Sequence, residues 1–184
     1  MRGVFALAGF LALAPCVQAF DPARAPIIAQ GTLQAAFAPW DNVESVITDA
    51  IDNAQKQVLV QAYLLTNKKI TATLIAAHRR GVDVQVLADA QQHARTESSR
   101  LSELAAAGVT VGLETNYQNA HNKVIVIDAA TPDATLITGS FNFTWTAQHK
   151  NAENILVVRQ NPSLVSHYLL NWQRHRQDAS PYKK

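Results

Sequence analysis

A short segment in the second half of the chain concentrates side chains that can act on a phosphate ester. Residues 120–154 read AHNKVIVIDAATPDATLITGSFNFTWTAQHKNAEN. They contain His121, Lys123 and Asp128 in the pattern H-x-K-x-x-x-x-D, followed by the cluster GSFN at 139–142. Histidine can act as a nucleophile or proton carrier near neutral pH. Lysine supplies a positive charge and several donors that suit a phosphate oxygen. These residue types therefore predict chemistry on a phosphate group.

Apolar runs beside these polar residues predict two buried strands. If the first strand begins near His121, then His121 and Lys123 share one face, because side chains alternate along a strand. Asp128 then points elsewhere or caps the strand end. Ser140 and Asn142 are also two residues apart, and a hydroxyl and an amide can donate to the remaining phosphate oxygens. Four side chains would then surround one phosphodiester: His121, Lys123, Ser140 and Asn142.

A His-x-Lys pair on its own is a weak signal, since it occurs by chance in many chains. Here it occurs together with an aspartate at a fixed offset, the GSFN cluster and the stretch KNAEN at 150–154. This conjunction within one short segment favours a functional site over a purely structural explanation.

The same residues resemble the signature of the phospholipase D superfamily, in which H-x-K-x-x-x-x-D is followed by a Gly-Ser cluster with an asparagine. The segment is most similar to that of the small bacterial endonucleases of the superfamily, which carry one signature per chain. Those proteins show stretches like GSFNFT at 139–144 and KNAEN at 150–154. One departure is visible. Ten residues separate Asp128 from Gly139, more than the usual signature has, and 130–133 is interpreted as a longer turn.

The resemblance implies an α/β fold in which a mixed or mostly parallel β-sheet is sandwiched between helices, with one phospholipase D-like domain per chain. It implies hydrolysis of a phosphodiester through a covalent phosphohistidine, without a cofactor. In-line displacement needs a nucleophile on one side of phosphorus and a proton donor on the other. Because this chain carries one signature, we predict a homodimer that brings both copies of His121 to one shared site. The lysines would replace a divalent ion, so we predict metal-independent activity.

A catalytic histidine needs an acceptor for its second ring nitrogen. Strand parity makes Asp128 a poor candidate, and the resemblance points to Glu153 instead. Our hypothesis is that Glu153 orients His121 while Asp128 braces the strand end. The predicted catalytic set is His121, Lys123, Glu153 and Asp128, and the predicted phosphate-binding set is His121, Lys123, Ser140 and Asn142.

Three functions are compatible with this set. The preferred one is a sequence-nonspecific endonuclease acting on DNA, with RNA as a second candidate substrate, because no base-reading motif is recognisable and phosphate contacts carry no sequence information. The alternative is a phospholipase D acting on membrane phospholipid with the same residues, which would need an exposed apolar collar. A non-catalytic phosphate-binding or nucleic-acid-binding module is the third, and the complete catalytic set argues against it.

The first nineteen residues predict a secretory signal peptide. Arg2 gives a positive start, 4–14 is an apolar run, and V-Q-A at 17–19 is a cleavage site. We therefore expect a catalytic domain at 20–184 in the periplasm or outside the cell, without stable membrane insertion; an uncleaved anchor is the alternative. Cleavage would remove Cys16, the only cysteine.

Charge and aromatic content limit other functions. The chain carries a net charge of +2, so it is not a strongly basic nucleic-acid binder, and pairs such as Lys68-Lys69 are interpreted as solvated faces. The other histidines show no metal-ligand spacing and are interpreted as surface or hydrogen-bonded residues. Phe141, Phe143 and Trp145 alternate beside the predicted site; they could stack on bases, but core or dimer packing is the preferred interpretation.

Strands alternating with helices support the predicted α/β sandwich. Besides the two strands of the signature, strands are predicted at 33–38, 58–64, 82–87, 109–113 and 154–158. Helices are predicted at 43–55, 66–81, 96–107 and 162–177, with a turn or short helix at 143–148.

Overall fold

One mixed β-sheet runs through residues 25–183, the part of the chain that the computed structural model describes. The predicted signal peptide and Cys16 lie outside these residues. The strand order across the sheet is β1-β7-β6-β5-β2-β3-β4-β8. The strands are β1 (Thr32–Ala38), β2 (Gln57–Ala62), β3 (Asp83–Asp89), β4 (Thr110–Glu114), β5 (Lys123–Ile127), β6 (Thr135–Gly139), β7 (Glu153–Arg159) and β8 (Ser180–Pro181).

Helices cover both faces of the sheet. They are α1 (Val43–Asp52), α2 (Lys68–Arg79), α3 (Ala90–Arg95), α4 (Leu101–Ala106), α5 (Trp145–His149) and α6 (Pro162–Asp178). Asn42 and Asn67 cap α1 and α2: the Asn42 side chain accepts a hydrogen bond from the N–H of Ser45, and the Asn67 side chain accepts one from the N–H of Ile70. Within residues 25–183, no helix combines the length and the apolar character needed to cross a bilayer.

Side-chain alternation divides the core into two layers. Ile125 and Ile127 of β5 belong to the cluster that packs against α1, α2 and α4. Val124 and Val126 belong to the cluster under α6. This confirms the predicted alternation within the first strand of the signature, but β5 begins at Lys123, so His121 lies just before the strand. Trp172 of α6 closes the second layer, and its indole N–H donates to the carbonyl of Val60 at 3.2 Å.

The predicted fold class, a mixed α/β sandwich in one domain, is confirmed. Parallel pairing occurs between β2 and β3 and between β3 and β4, where helices return the chain to the start of the next strand. The other five pairings are antiparallel. Two elements were not predicted from the sequence: α3, which Asp89 caps, and the two-residue β8. The helix predicted from Thr96 begins only at Leu101, as α4.

Asp128 joins the end of β5 to the start of β2. Its carboxylate accepts hydrogen bonds from the backbone N–H groups of Gln55, Lys56 and Gln57, at 2.8, 2.7 and 2.8 Å. Its φ angle is 50°, in the left-handed region that Asp and Asn tolerate better than most residues. Without this carboxylate, three successive donors at the start of a strand would lose their partner. The contacts agree with the bracing role predicted for Asp128.

The longer turn predicted between the two strands of the signature begins directly after Asp128 and connects β5 to β6. The N–H of Thr131 donates to the carbonyl of Asp128 at 2.9 Å, and the N–H of Ala134 donates to that of Thr131 at 3.2 Å. Because the turn leaves β5 at the end opposite His121, the additional residues do not reach the predicted site.

Replacing Asp128 with Asn should lower the free energy of unfolding by about 1–3 kcal/mol, because the amide keeps one acceptor oxygen but loses the charge and the second acceptor. Asparagine tolerates the left-handed backbone, so the change isolates the carboxylate. Urea unfolding measures the effect, and Asp133→Asn, an exposed change in the same turn, serves as the control with a shift under about 0.5 kcal/mol. A folded Asp128→Asn protein as inactive as His121→Ala would contradict the bracing role.

Candidate active site

The signature residues meet at one edge of the sheet. Lys123 begins β5, Gly139 ends β6 and Glu153 begins β7, and these three strands are neighbours. The N–H of Tyr63, just after β2, donates to the carbonyl of Asn122 at 2.9 Å. This bond fixes the segment that carries His121 beside the end of β2.

Lys123, His121 and Tyr63 form a contact unit. The Lys123 ammonium donates to the backbone carbonyl of His121 at 2.8 Å and lies 4.9 Å from the centre of the Tyr63 ring, within the range of a cation–π contact. The His121 ring meets the same tyrosine edge to face, with ring centres 4.3 Å apart. His121 is exposed, whereas Lys123 is buried. Two of the three ammonium donors remain for a substrate oxygen.

Burial lowers the pKa of Lys123 to about 8, and the negative charge of Glu153 opposes that shift. Removing the ammonium from water disfavours its charged form, while a nearby carboxylate favours it. Lys123 is therefore protonated at neutral pH, but it loses its charge at a lower pH than an exposed lysine does.

Among residues 25–183, the hydroxyl hydrogen of Ser140 has no acceptor. Its oxygen accepts hydrogen bonds from the backbone N–H of Asn154 at 3.0 Å and from the Asn154 side chain at 3.3 Å. A hydroxyl has two acceptor positions and one donor. Since Asn154 occupies the acceptor positions, the O–H of Ser140 can donate to a phosphate oxygen.

Asn142 retains an unpaired polar atom. Its side-chain oxygen is buried and has no hydrogen-bond partner among residues 25–183. A buried amide oxygen without a donor is uncommon and destabilising. A half-turn of the planar amide would turn its NH₂ group toward the same space, so Asn142 can serve as acceptor or donor for a bound group.

Glu153 and Asp128 occupy different positions relative to His121. The Glu153 carboxylate accepts a hydrogen bond from the Asn151 side chain at 2.9 Å, and within residues 25–183 it makes no hydrogen bond to His121. Its orienting role stays a prediction. Asp128 lies at the opposite end of β5, bound to the start of β2, so its contacts give no support to the direct catalytic role that the signature implied.

Two residues at this edge of the sheet were not predicted from the sequence to belong to the site. Asp89, at the end of β3, is buried and accepts a hydrogen bond from the N–H of Ala120 at 2.7 Å, which fixes the backbone just before His121. Tyr63 contacts both His121 and Lys123. Each directly follows a buried apolar run. A polar or aromatic residue at the end of such a run was the sequence feature that could have indicated their place at the site.

The three alternating aromatic residues beside the site have different environments. Phe141 and Phe143 are fully buried in the larger core cluster, as the core-packing interpretation predicts, whereas Trp145 is exposed.

Two of the other histidines are hydrogen-bonded to side chains. His93 is hydrogen-bonded to Ser99 at 2.8 Å, and His175 is hydrogen-bonded to the buried Glu114. For these two histidines, the interpretation as hydrogen-bonded residues is confirmed.

Comparison with known proteins identifies the family. The family described as cardiolipin synthase, PLD-like domain, matches residues 47–175. "Phospholipase D" of Rickettsia bellii is 38% identical over 145 residues, which cover 79% of this chain and 69% of that protein. The chain belongs to the phospholipase D superfamily. Nuc from Salmonella typhimurium, a phospholipase D family member of known crystal structure, matches with a TM-score of 0.78 and 30% identity over 84% of this chain and 100% of Nuc.

A second solved structure supports the fold alone. NucT from Helicobacter pylori matches with a TM-score of 0.75 at 18% identity, covering 83% of this chain and 100% of NucT. As a member of the phospholipase D superfamily, the protein is a phosphodiesterase. The names of these relatives support the family and leave the substrate open.

The lowered pKa of Lys123 predicts the alkaline side of the activity profile. The value of kcat/KM for a phosphodiester should fall as pH rises through about 8, because neutral Lys123 no longer attracts the phosphate. Glu153→Gln removes the charge that raises this pKa, so the decline should move to lower pH. Lys123→Arg keeps its charge, so whatever activity remains should persist to higher pH.

Rate profiles between about pH 6 and 10 measure these shifts. Glu103→Gln, a change in an exposed carboxylate that pairs with Arg100, is the matched control and should leave the profile unchanged. If Glu153→Gln leaves the alkaline decline in place, Lys123 is not the group that titrates there.

Proposed function

We propose that this protein is a metal-independent endonuclease that hydrolyses DNA without sequence specificity, with RNA as a second substrate. The observation that carries the proposal is the unit of exposed His121 and buried, positively charged Lys123 at the sheet edge. An accessible imidazole can reach phosphorus, while the adjacent ammonium and the O–H of Ser140 bind the non-bridging oxygens.

The chemistry is an in-line displacement in two steps. A ring nitrogen of His121 attacks phosphorus, forming an N–P bond as the ester P–O bond breaks, and a second imidazole gives the leaving oxygen its proton. Water then attacks the phosphohistidine and gives a proton to that second imidazole, the N–P bond breaks, and His121 is free again. Lys123 and Ser140 stabilise the charge that develops on the phosphate oxygens.

The second imidazole is proposed to come from a second copy of the chain. An exposed apolar surface runs along the edge strand β1 toward the site, formed by Leu33 and Phe37 of β1 and by Trp40 in the following turn. Phe37 pairs in register with Asn154, which binds Ser140. A two-fold interface over this surface would bury the apolar side chains and bring the two copies of His121 together.

Phospholipase D activity is the second candidate. It is supported by the name of the Rickettsia bellii relative, "Phospholipase D", and the same exposed apolar side chains could contact lipid. Residues 1–19 support a periplasmic or secreted location for either activity.

The purified protein should nick plasmid DNA in excess EDTA, and His121→Ala should remove that activity. RNA and phosphatidylcholine vesicles are assayed in parallel. Lipid turnover without nicking would select the phospholipase, and binding without turnover would select a non-catalytic module. Activity lost in EDTA and restored by a divalent ion would contradict the metal-independent mechanism.

Mixed dimers test the shared site. When equal amounts of wild-type and His121→Ala subunits are denatured and refolded together, activity per wild-type subunit should fall to about half, because only dimers with two intact histidines remain active. A Leu170→Ala subunit, altered at an exposed position on α6, is the control and should leave activity unchanged. Full activity per wild-type subunit after mixing with His121→Ala would show that one chain forms a complete site.

A further inference from the structure

A basic cleft with an exposed indole opens near the contact unit of Lys123, His121 and Tyr63. It has a volume of about 470 Å³. The residues that line it are Glu44, Thr66, Asn67, Lys68, Lys69, Trp145 and His149. We call this space the Trp145 cleft.

Backbone hydrogen bonds tie the Trp145 cleft to the active site. The N–H groups of Thr66 and Asn67 both donate to the carbonyl of Phe143 at 3.0 Å, and the N–H of Phe143 donates to the carbonyl of Leu64 at 3.1 Å. Leu64 follows Tyr63, which contacts His121. Because three extended residues span about 10 Å, the cleft lies within reach of a substrate group next to the scissile phosphate.

Glu44 lies at the base of the cleft, where hydrogen bonds and an ion pair hold its carboxylate and balance its charge. Burial alone would raise the pKa of Glu44, but hydrogen bonds from Asn67 and Lys69 hold that pKa below its ordinary value. The ammonium of Lys69 lies 2.7 Å from the Glu44 carboxylate, and the backbone N–H of Glu44 donates to Gln148 at 2.9 Å. The charge of Lys69 is therefore paired with Glu44 at the base of the cleft. Lys68 is exposed and has no ion-pair partner among residues 25–183.

Trp145 presents its ring at the mouth of the cleft. The side chain is 55% exposed, although the two aromatic residues before it, Phe141 and Phe143, are fully buried. Its ring centre lies 4.6 Å from that of His149, and the Lys150 ammonium lies 5.9 Å from it. An exposed aromatic ring near lysine side chains is the arrangement that binds single-stranded nucleic acid, because a base stacks on the ring while its phosphates meet the positive charges.

We propose that the Trp145 cleft is a subsite for an unpaired nucleotide that flanks the scissile phosphate. Trp145 stacks on the base, and Lys68 and Lys150 contact adjacent phosphates. A paired base in a duplex is already stacked on both sides, so the subsite favours single-stranded substrate. This inference rests on the proposed nuclease function and deepens it by naming the form of nucleic acid.

The test compares Trp145→Ala with wild type on three substrates: a single-stranded oligonucleotide, the same sequence as a duplex, and the small diester bis(4-nitrophenyl) phosphate. For the single strand, KM should rise roughly tenfold, in keeping with the loss of one stacked base, while kcat changes little. The small diester lacks the sugar that carries a flanking base away from the phosphate, and it has no second phosphate, so its hydrolysis should be unchanged. Trp145→Phe should retain most of the affinity, because it keeps an aromatic face.

Lysine variants test the phosphate contacts. Lys68→Ala should weaken binding of the single strand and lower the slope of log K against log salt by about one. Lys56→Ala is the matched control, because Lys56 is exposed just before β2, at the opposite end of that strand from Tyr63. It should change neither the affinity nor the slope.

Distinct results overturn distinct claims. If wild-type protein cleaves the oligonucleotide and Trp145→Ala does so with unchanged KM, or with equal losses on the small diester, the subsite is wrong and the nuclease stands. If wild-type protein hydrolyses the small diester and phosphatidylcholine vesicles but neither nucleic acid, the proposed function fails as well. Equal effects of Trp145→Ala on single strand and duplex would contradict the preference for unpaired bases.

Discussion

A buried positive charge at the end of a strand is the constraint on which the active site depends. Lys123 begins β5, whose other side chains are all buried, so its ammonium is partly removed from water and its pKa falls to about 8. The carbonyl of His121, the ring of Tyr63 and the charge of Glu153 compensate in part. A bound phosphate would supply the missing counter-charge, so part of the cost of burying Lys123 is recovered when substrate binds.

Two buried carboxylates keep that lysine and histidine in position from opposite ends. Asp128 binds three successive N–H groups before and at the start of β2 and so fixes the register of β5. Asp89 holds the N–H of Ala120 and fixes the backbone that leads into His121. Both carboxylates bind backbone N–H groups. The sheet therefore positions His121, the proposed nucleophile, because a loop alone would leave its imidazole free to move.

The surroundings of the site bear on its substrate. Members of this superfamily share the phosphate chemistry, so discrimination between nucleic acid and lipid depends on what contacts the rest of the molecule. The turn after β1 exposes Trp40, and α5 exposes Trp145 beside Lys68 and Lys150. An apolar surface suits a second subunit or a lipid, whereas an indole among cations suits a base and its phosphates. Gln148 of α5 donates to the carbonyl of Asp41 in the turn after β1 at 2.9 Å, so the two surfaces are neighbours, but they make different demands on a ligand.

Local chemistry in the sequence determined the alternation of strands and helices, the Asn42 and Asn67 caps, the two faces of β5 and the phosphodiester signature, because periodicity and capping act over a few residues. The tertiary structure decided what depends on distant contacts: the strand order, the limited parallel pairing, the attachment of Asp128 to Gln55–Gln57, and the contacts of Tyr63 and Asp89 with the histidine segment. Phe141 and Trp145 are only four residues apart, yet one is buried and the other exposed. Their spacing could not separate them, since burial is set by the elements that pack on each residue.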